Sequence, residues 1–437
     1  MGSRIVSVGD VATFRKESVK PLEGTTYRCY SLPAFDNAKT PEVIDGSQIL
    51  SNKLRIEAGD ILVNKLNMRF KRIWSIGSLQ PNSVCSTEFV PLSPSNSIDR
   101  NYLLYVLLSD EFTNALSGMR TGTSGSHQRV KPEWILDYKF ELPDTPTQQK
   151  IGGLLAAIDN KIAANTKLNG YLLELATARF ESALEADSKM VRFGDVVALE
   201  DSKRVPLNSR DREARKGPYP YYGATSIMDH VDDYLFDEIR VLLGEDGTVI
   251  DSEGKPILQY VWGKYWVNNH AHILASLGEY SLEAIYVALK RTAINHIVTG
   301  AVQMKISQRN LKSLELEMPN PKCLDYLQDL FAAYRSNQDE SAMLASLRDA
   351  LLPKLMSGEI DVSKVDLTQL NSHLVIRCDE CLLPSCKLAS RRRHRLVCCF
   401  LIASKWSRIG AESTPGAERE PKYLAKADYE NAHNGCA

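Results

Sequence analysis

A chain of 437 residues with 43% apolar content is long enough for two or three domains with their own cores and too long for one ordinary domain. Its 53 basic and 54 acidic residues leave a formal charge of −1, so any nucleic-acid contact must rest on local clusters and not on a basic surface overall. The opening MGSRIVSVGDVATF lacks the apolar stretch of a leader peptide, and the longest apolar run, 396–403, is too short to span a bilayer, so a cytoplasmic protein is expected.

Taken in chain order, residues 1–145 read as a strand-rich domain punctuated by Gly, Pro, Asn and Asp turns. Residues 146–187 read as one long helix, because Ile151, Leu155, Ile158, Ile162, Leu168, Leu172 and Leu175 recur at three- and four-residue spacing, the pattern of a coiled-coil seam. Residues 188–320 return to the strand-rich pattern. A second long helix is predicted over 321–360, with Leu324, Leu327, Phe331, Tyr334, Leu344, Leu347, Leu351 and Leu355 along it and Gly358 at its end. At 1.5 Å per residue each helix is a rod of about 55 Å, and the two apolar seams can bury each other.

Residues 361–437 break the pattern. Six of the nine cysteines crowd this tail, and Cys378-x-x-Cys381 resembles half of a zinc site, but no second pair follows at knuckle spacing, so no metal is assigned. Cys29, Cys85 and Cys323 are too scattered to form a disulfide framework in the body. The tail has no counterpart elsewhere in the chain and reads as an atypical, disordered extension.

Self-similarity decides the architecture. Val8-Gly9-Asp10-Val11 returns as Phe193-Gly194-Asp195-Val196, and the stretch 130–143 aligns apolar-on-apolar with 306–319. Between these anchors Tyr102–Leu107 resembles Ala284–Leu289, and 83–92 loosely parallels 266–274. The expected fold class is therefore α+β: two similar, mixed, strand-rich domains separated by two long helices that pair as an antiparallel coiled coil.

With these residues in place, the chain resembles the specificity subunits of type I restriction-modification systems. The resemblance rests on the Gly-Asp-Val openings, on Leu142-Pro143 followed by Gln148-Gln149-Lys150-Ile151-Gly152 and Ile158-Asp159-x-Lys161-Ile162, and on the ending Leu351-Leu352-Pro353-Lys354-Leu355. Gly217-Pro-Tyr219-Pro-Tyr221-Tyr222-Gly is also similar to the start of many second domains in that family. The resemblance implies two target-recognition domains that bind a bipartite double-stranded DNA, with two methyltransferase subunits docked on the helices and restriction subunits joining the larger complex. It also implies that this chain has no catalytic site and binds no cofactor, S-adenosylmethionine, ATP and Mg²⁺ belonging to its partners.

Sequence reading requires Arg, Lys, Asn, Gln and Ser at loop tips: cations for phosphates, amides and guanidiniums for base edges. In the first domain the candidates are Lys65, Asn67, Arg69, Lys71 and Arg72 in one loop and Arg120, Ser124, Ser126, His127, Gln128 and Arg129 in another. In the second they are Lys264, Asn268, Asn269, His270, Gln303, Lys305, Ser307, Gln308 and Arg309. Candidates for helix pairing are Ile151, Leu155, Ile158, Ile162 and Leu172 against Leu327, Phe331, Tyr334, Leu347 and Leu351. The aromatic patch Tyr219, Tyr221, Tyr222 either packs or stacks on a base, with packing favoured.

Two rival readings stand beside this one. A metal-dependent DNA endonuclease could be built from Asp237 or Asp246 with Glu253 and Lys255, although their spacing is looser than a two-carboxylate metal site requires. A non-catalytic coiled-coil adaptor would show no salt-sensitive duplex binding. A methyltransferase is disfavoured, since neither a Gly-rich cofactor loop after a strand nor an Asn/Asp-Pro-Pro-aromatic motif occurs.

Overall fold

The computed structural model describes residues 3–119, 129–300 and 303–362. The candidates Arg120, Ser124, Ser126, His127 and Gln128, and the tail from 363 onward with its cysteines, lie outside the described residues. Among the described residues the chain divides into two compact units, one formed by 3–164 together with 340–362 and the other by 165–339. The division falls inside the long helices, so each unit owns part of both.

In the first unit, strands Arg4–Ser7 and Lys139–Leu142 pair antiparallel and bring its two ends together. A single helical turn, Val8–Val11, follows, closed by a capping box in which Ser7 and Asp10 exchange side-chain and backbone bonds. The chain then enters a four-stranded antiparallel sheet in the order Ala12–Phe14, Phe89–Pro94, Ile61–Asn64, Ile73–Ser75. Ile61, Leu62 and Val63 are fully buried. They alternate between two clusters: Ile61 and Val63 face the helix Arg100–Leu108, while Leu62 joins Trp74, Phe89 and Tyr30 on the other side. A five-stranded sheet completes the unit, with one parallel pair, Thr26–Tyr30 against Ser83–Cys85.

The second unit repeats this plan. Ser188–Arg192 pairs with Glu315–Pro319, the turn Phe193–Val196 follows, and a four-stranded sheet runs Val197–Leu199, Ala271–Ser276, Arg240–Gly244, Leu258–Val261. A second sheet again holds one parallel pair, Lys216–Tyr222 against Lys264–Val267. In both units the turn seats against the end of a short helix, but closely only in the second: a Cβ on Gly194 would lie 3.0 Å from the Lys312 carbonyl oxygen, whereas one on Gly9 would lie 3.4 Å from that of Leu136, an ordinary contact.

The long helices span Thr145–Ala186 and Tyr326–Met356. Within the first unit Ile151, Leu154 and Leu155 share a core with Leu355, Leu351 packs beside them, Asp159 pairs with Arg348 at 2.7 Å, and Lys161 with Glu340 at 3.2 Å. Within the second, Ala176, Phe180 and Leu184 share a core with Leu327 and Phe331. In both units residue numbers ascend on one helix as they descend on the other, so the pairing is antiparallel.

Three pairing candidates need correction. Leu347 is 47% exposed and points away from the seam. Leu172 is only half-buried, and its neighbour Leu173 packs against the core instead. Tyr334 turns its ring toward Trp262 and Tyr260 of the sheet, at 6.2 and 6.5 Å between centroids. The seam positions between Ile162 and Leu173 belong to polar residues. Asn165 and Asn169 are buried, and their amides donate to the Asn337 and Tyr334 carbonyls at 3.3 and 3.2 Å; Asn337 returns a 2.8 Å bond to Asn169.

Candidate nucleic-acid interface

The two candidate loops of the first unit meet. The strand Ile61–Asn64 runs on into Lys65 and Leu66, and Leu66 bridges antiparallel to Arg129, which leads out of the glycine-rich segment. Lys65 donates its backbone N–H to Glu88 O and accepts from Val130 N, both at 2.9 Å. In the second unit Glu245 donates to His270 O at 2.8 Å and accepts from Ile306 N at 2.9 Å, while Asp246 bridges to Lys305. The register thus makes Lys65 equivalent to Glu245, Leu66 to Asp246, Glu88 to His270 and Arg129 to Lys305. One backbone frame carries two different sets of side chains.

Partners separate the candidates into two groups. Arg72 grips Asp36 through two bonds of 2.8 and 2.7 Å, which holds the Asp36 carboxyl below the usual carboxylate range, and Lys71 pairs with Asp110 at 2.6 Å. Both cations brace the first unit. Arg69 is exposed, its guanidinium 5.1 Å from the centre of the exposed Phe70 ring, at a turn that Asn67 enters with φ +57°. Arg129 pairs with Glu88 at 2.7 Å while remaining 60% exposed.

The second unit shows the same division. Asn268 is buried, with its amide against Met228 Sδ and its carbonyl accepting from His270 N, so it is structural and not a reader. Ser307 caps the helix Gln308–Lys312, and Gln308 donates to Asp201 at 2.6 Å. His270 pairs with Asp246 at 2.7 Å, and Lys305 reaches Glu245 at 3.5 Å. Lys264, Asn269, Gln303 and Arg309 are exposed. The aromatic patch packs: Tyr221 is fully buried with its hydroxyl taking the Leu207 N–H, Tyr222 meets the edge of Tyr265, and Tyr219 that of Tyr234.

Beneath this edge lies a polar network that sequence reasoning missed. His272, buried in the strand Ala271–Ser276, stands 2.6 Å from Asp201 through Nδ1 and 2.9 Å from the Ile306 carbonyl through Nε2. Asp201 also accepts from Ile273 N at 2.9 Å. Burial pushes the Asp201 carboxyl up, but the bonds from His272 and Ile273 and the nearby Arg204 more than offset it, leaving the group below its ordinary value. Asp201, Glu245 and His272 lie close enough to ligate a cation. Arg204 already serves the two carboxylates, at 2.7 Å from Glu245 and 3.7 Å from Asp201, and both imidazole nitrogens have partners, so the residues do not fit a metal. The nuclease candidates fare no better, since Asp246 is taken by His270 and Glu253 by Lys255.

A third feature explains a motif. Gln148 is buried, accepting from Asp99 N and donating to Pro143 O at 2.8 Å each, while a Cβ on Gly152 would come within 2.7 Å of Tyr102 N. The Gln and Gly of the run 148–152 therefore lock the first long helix onto the capped start of Arg100–Leu108.

The chain is a duplication: two units of one plan, each owning part of both long helices and each carrying different side chains on an equivalent loop frame. The chain belongs to the type I restriction modification DNA specificity domain family, which matches residues 2–173 and 185–342. Over 131 residues it is 30% identical to the type I restriction enzyme HindI specificity subunit of Haemophilus influenzae, a stretch covering 30% of this chain and 28% of that protein. Over 317 residues it is 22% identical to the MjaIX specificity subunit of Methanocaldococcus jannaschii, covering 63% of this chain and 73% of that one. The match to the Haemophilus protein thus spans under a third of its length. The fold is similar to the crystal structure of the S subunit of a type I restriction-modification system from M. genitalium, at 14% identity and a TM-score of 0.52, covering 82% of this chain and 96% of that one.

Proposed function

We propose that this chain is the DNA-reading subunit of a type I restriction-modification complex, each unit reading one half of a bipartite double-stranded target. The observation that carries this reading is the equivalent loop frame, occupied by Lys65, Leu66, Glu88 and Arg129 in one unit and by Glu245, Asp246, His270 and Lys305 in the other. A constant backbone with divergent polar tips is what reading two different half-sites demands. Exposed Arg69, Lys264, Gln303 and Arg309 extend the contact, with phosphates supplying most of the affinity.

In this reading the chain acts in the cytoplasm and does no chemistry. The paired helices dock two methyltransferase subunits, restriction subunits join them, and S-adenosylmethionine, ATP and Mg²⁺ are bound by those partners. Co-expression with cognate methyltransferase subunits and mapping of methylated positions tests it: a split site whose methylation depends on this chain is expected. Methylation on a continuous site, or without this chain, overturns it. Duplex binding that does not weaken with salt would favour the adaptor instead.

A further inference from the structure

The two four-stranded sheets contain one partly buried ion pair at the same place with opposite polarity. Phe14 pairs with Leu92, and Leu92 with Ile61; Leu199 pairs with Leu274, and Leu274 with Val241. Arg15 is thereby equivalent to Glu200, and Asp60 to Arg240. The backbone agrees: Arg15 N donates to Pro91 O and Glu200 N to Ile273 O, each at 2.9 Å. In the first unit the cation sits after the opening strand and the carboxylate before the third strand, Arg15 Nε to Asp60 Oδ2 at 3.1 Å. In the second the order is reversed, Glu200 Oε2 to Arg240 Nε at 2.8 Å. Neighbours reinforce each polarity, Glu57 beside Arg15, Lys203 beside Glu200 and Glu238 beside Arg240.

A chain with two copies of one sheet carries a hazard. Each opening strand, Ala12–Phe14 or Val197–Leu199, lies at a sheet edge and is only three residues long. The main-chain bonds it makes are the same in either sheet, so backbone pairing cannot tell the two apart. Exchange would set Arg15 against Arg240 and Glu200 against Asp60. The side chains concerned are 22% and 2% exposed in one pair and 16% and 18% in the other, which limits solvent screening of that repulsion.

We infer that the reversed ion pair is a strand-pairing code: each unit's opening strand carries the charge its own sheet accepts and the other sheet rejects. It keeps two similar units from exchanging strands during folding, the misassembly to which repeated domains are prone.

The full chain tests this with two variants. Glu200→Arg with Arg240→Asp, combined with Lys203→Glu and Glu238→Lys so that each new charge still has an opposite neighbour, keeps an ion pair in the second unit but gives it the first unit's polarity. Glu200→Ala with Arg240→Ala removes the pair and the code's second half without creating a match. Equilibrium stability in denaturant and the yield of native monomer after dilution from denaturant are measured for both, with no DNA present, so the result is independent of the functional reading. The charge-swapped variant is expected to match the parent chain in stability yet refold with roughly threefold lower yield, the shift that about one RT of lost discrimination produces. It should also refold worse than the alanine pair. If the ion pair serves stability alone, the order reverses and the alanine pair refolds worse, which overturns the inference. A charge-swapped variant unstable at equilibrium overturns it too, because a unit must accept either polarity for polarity to be a code.

Discussion

The two units hold the same loop edge in place by opposite means. At the position of buried His272 the first unit has the fully buried Val90, and where the second has buried Asp201 the first has the exposed Lys16. One edge rests on apolar packing and the other on a hydrogen-bonded network whose members depend on one another. A valine loses nothing to titration and tolerates loosening, whereas a buried carboxylate without its donors is costly. A scaffold can therefore keep its backbone through duplication while the support beneath it changes in kind.

The sharpest way to break this comparison is Asp201→Ala. It strands His272, Gln308 and the Ile273 N–H together, and is expected to destabilise the second unit by about 3–5 kcal/mol while leaving the first intact, as read by hydrogen exchange of each unit. Uniform loss of protection across both units would show that the network is not local. His272→Val, which copies the first unit's residue, leaves Asp201 with fewer donors and should cost about 1–3 kcal/mol in the second unit.

Acid should separate the units in the same direction. The folded Asp201 carboxyl lies below its ordinary value, so its contribution is present above the unfolded carboxylate pKa of about 3.9 and is lost as pH falls through the lower folded value. Below about pH 4 the protection of 271–276 should therefore fall before that of 89–94. Simultaneous loss would argue against the network.

Within the first unit, Arg72→Ala should cost about 1 kcal/mol of stability through the lost Asp36 bonds. Arg69→Ala should leave stability unchanged but weaken duplex binding across all sequences and reduce the salt slope by about 1. A chain in which both substitutions behaved alike would erase the distinction between bracing and contacting cations. The smallest effect is expected from Asn169→Leu, within about 1 kcal/mol in either sense, since apolar filling offsets the lost bonds to Tyr334 and Asn337. Its mark should be lost helix register, measured by cross-linking between cysteines placed on the two helices.

Sequence periodicity determined that two long helices exist and that a strand-rich unit occurs twice, because leucine spacing and repeated Gly-Asp turns are local signals. It also aligned 130–143 with 306–319, which sets Arg129 against Lys305, but it did not match the loop at Lys65 and Leu66 with Glu245 and Asp246, whose side chains are unlike. It failed in the middle of the seam, where Asn165 and Asn169 do the work expected of Leu168, Leu172 and Leu175, since a buried amide looks like a surface residue until its carbonyl partners on the other helix are known. It likewise could not sort Arg69 from Arg72 or Asn269 from Asn268, residues of one type within three positions of each other whose burial and partners come from distant strands and helices. Tertiary structure alone brought Arg15 to Asp60 and Glu200 to Arg240, because strand register, not spacing along the chain, fixes which charges meet.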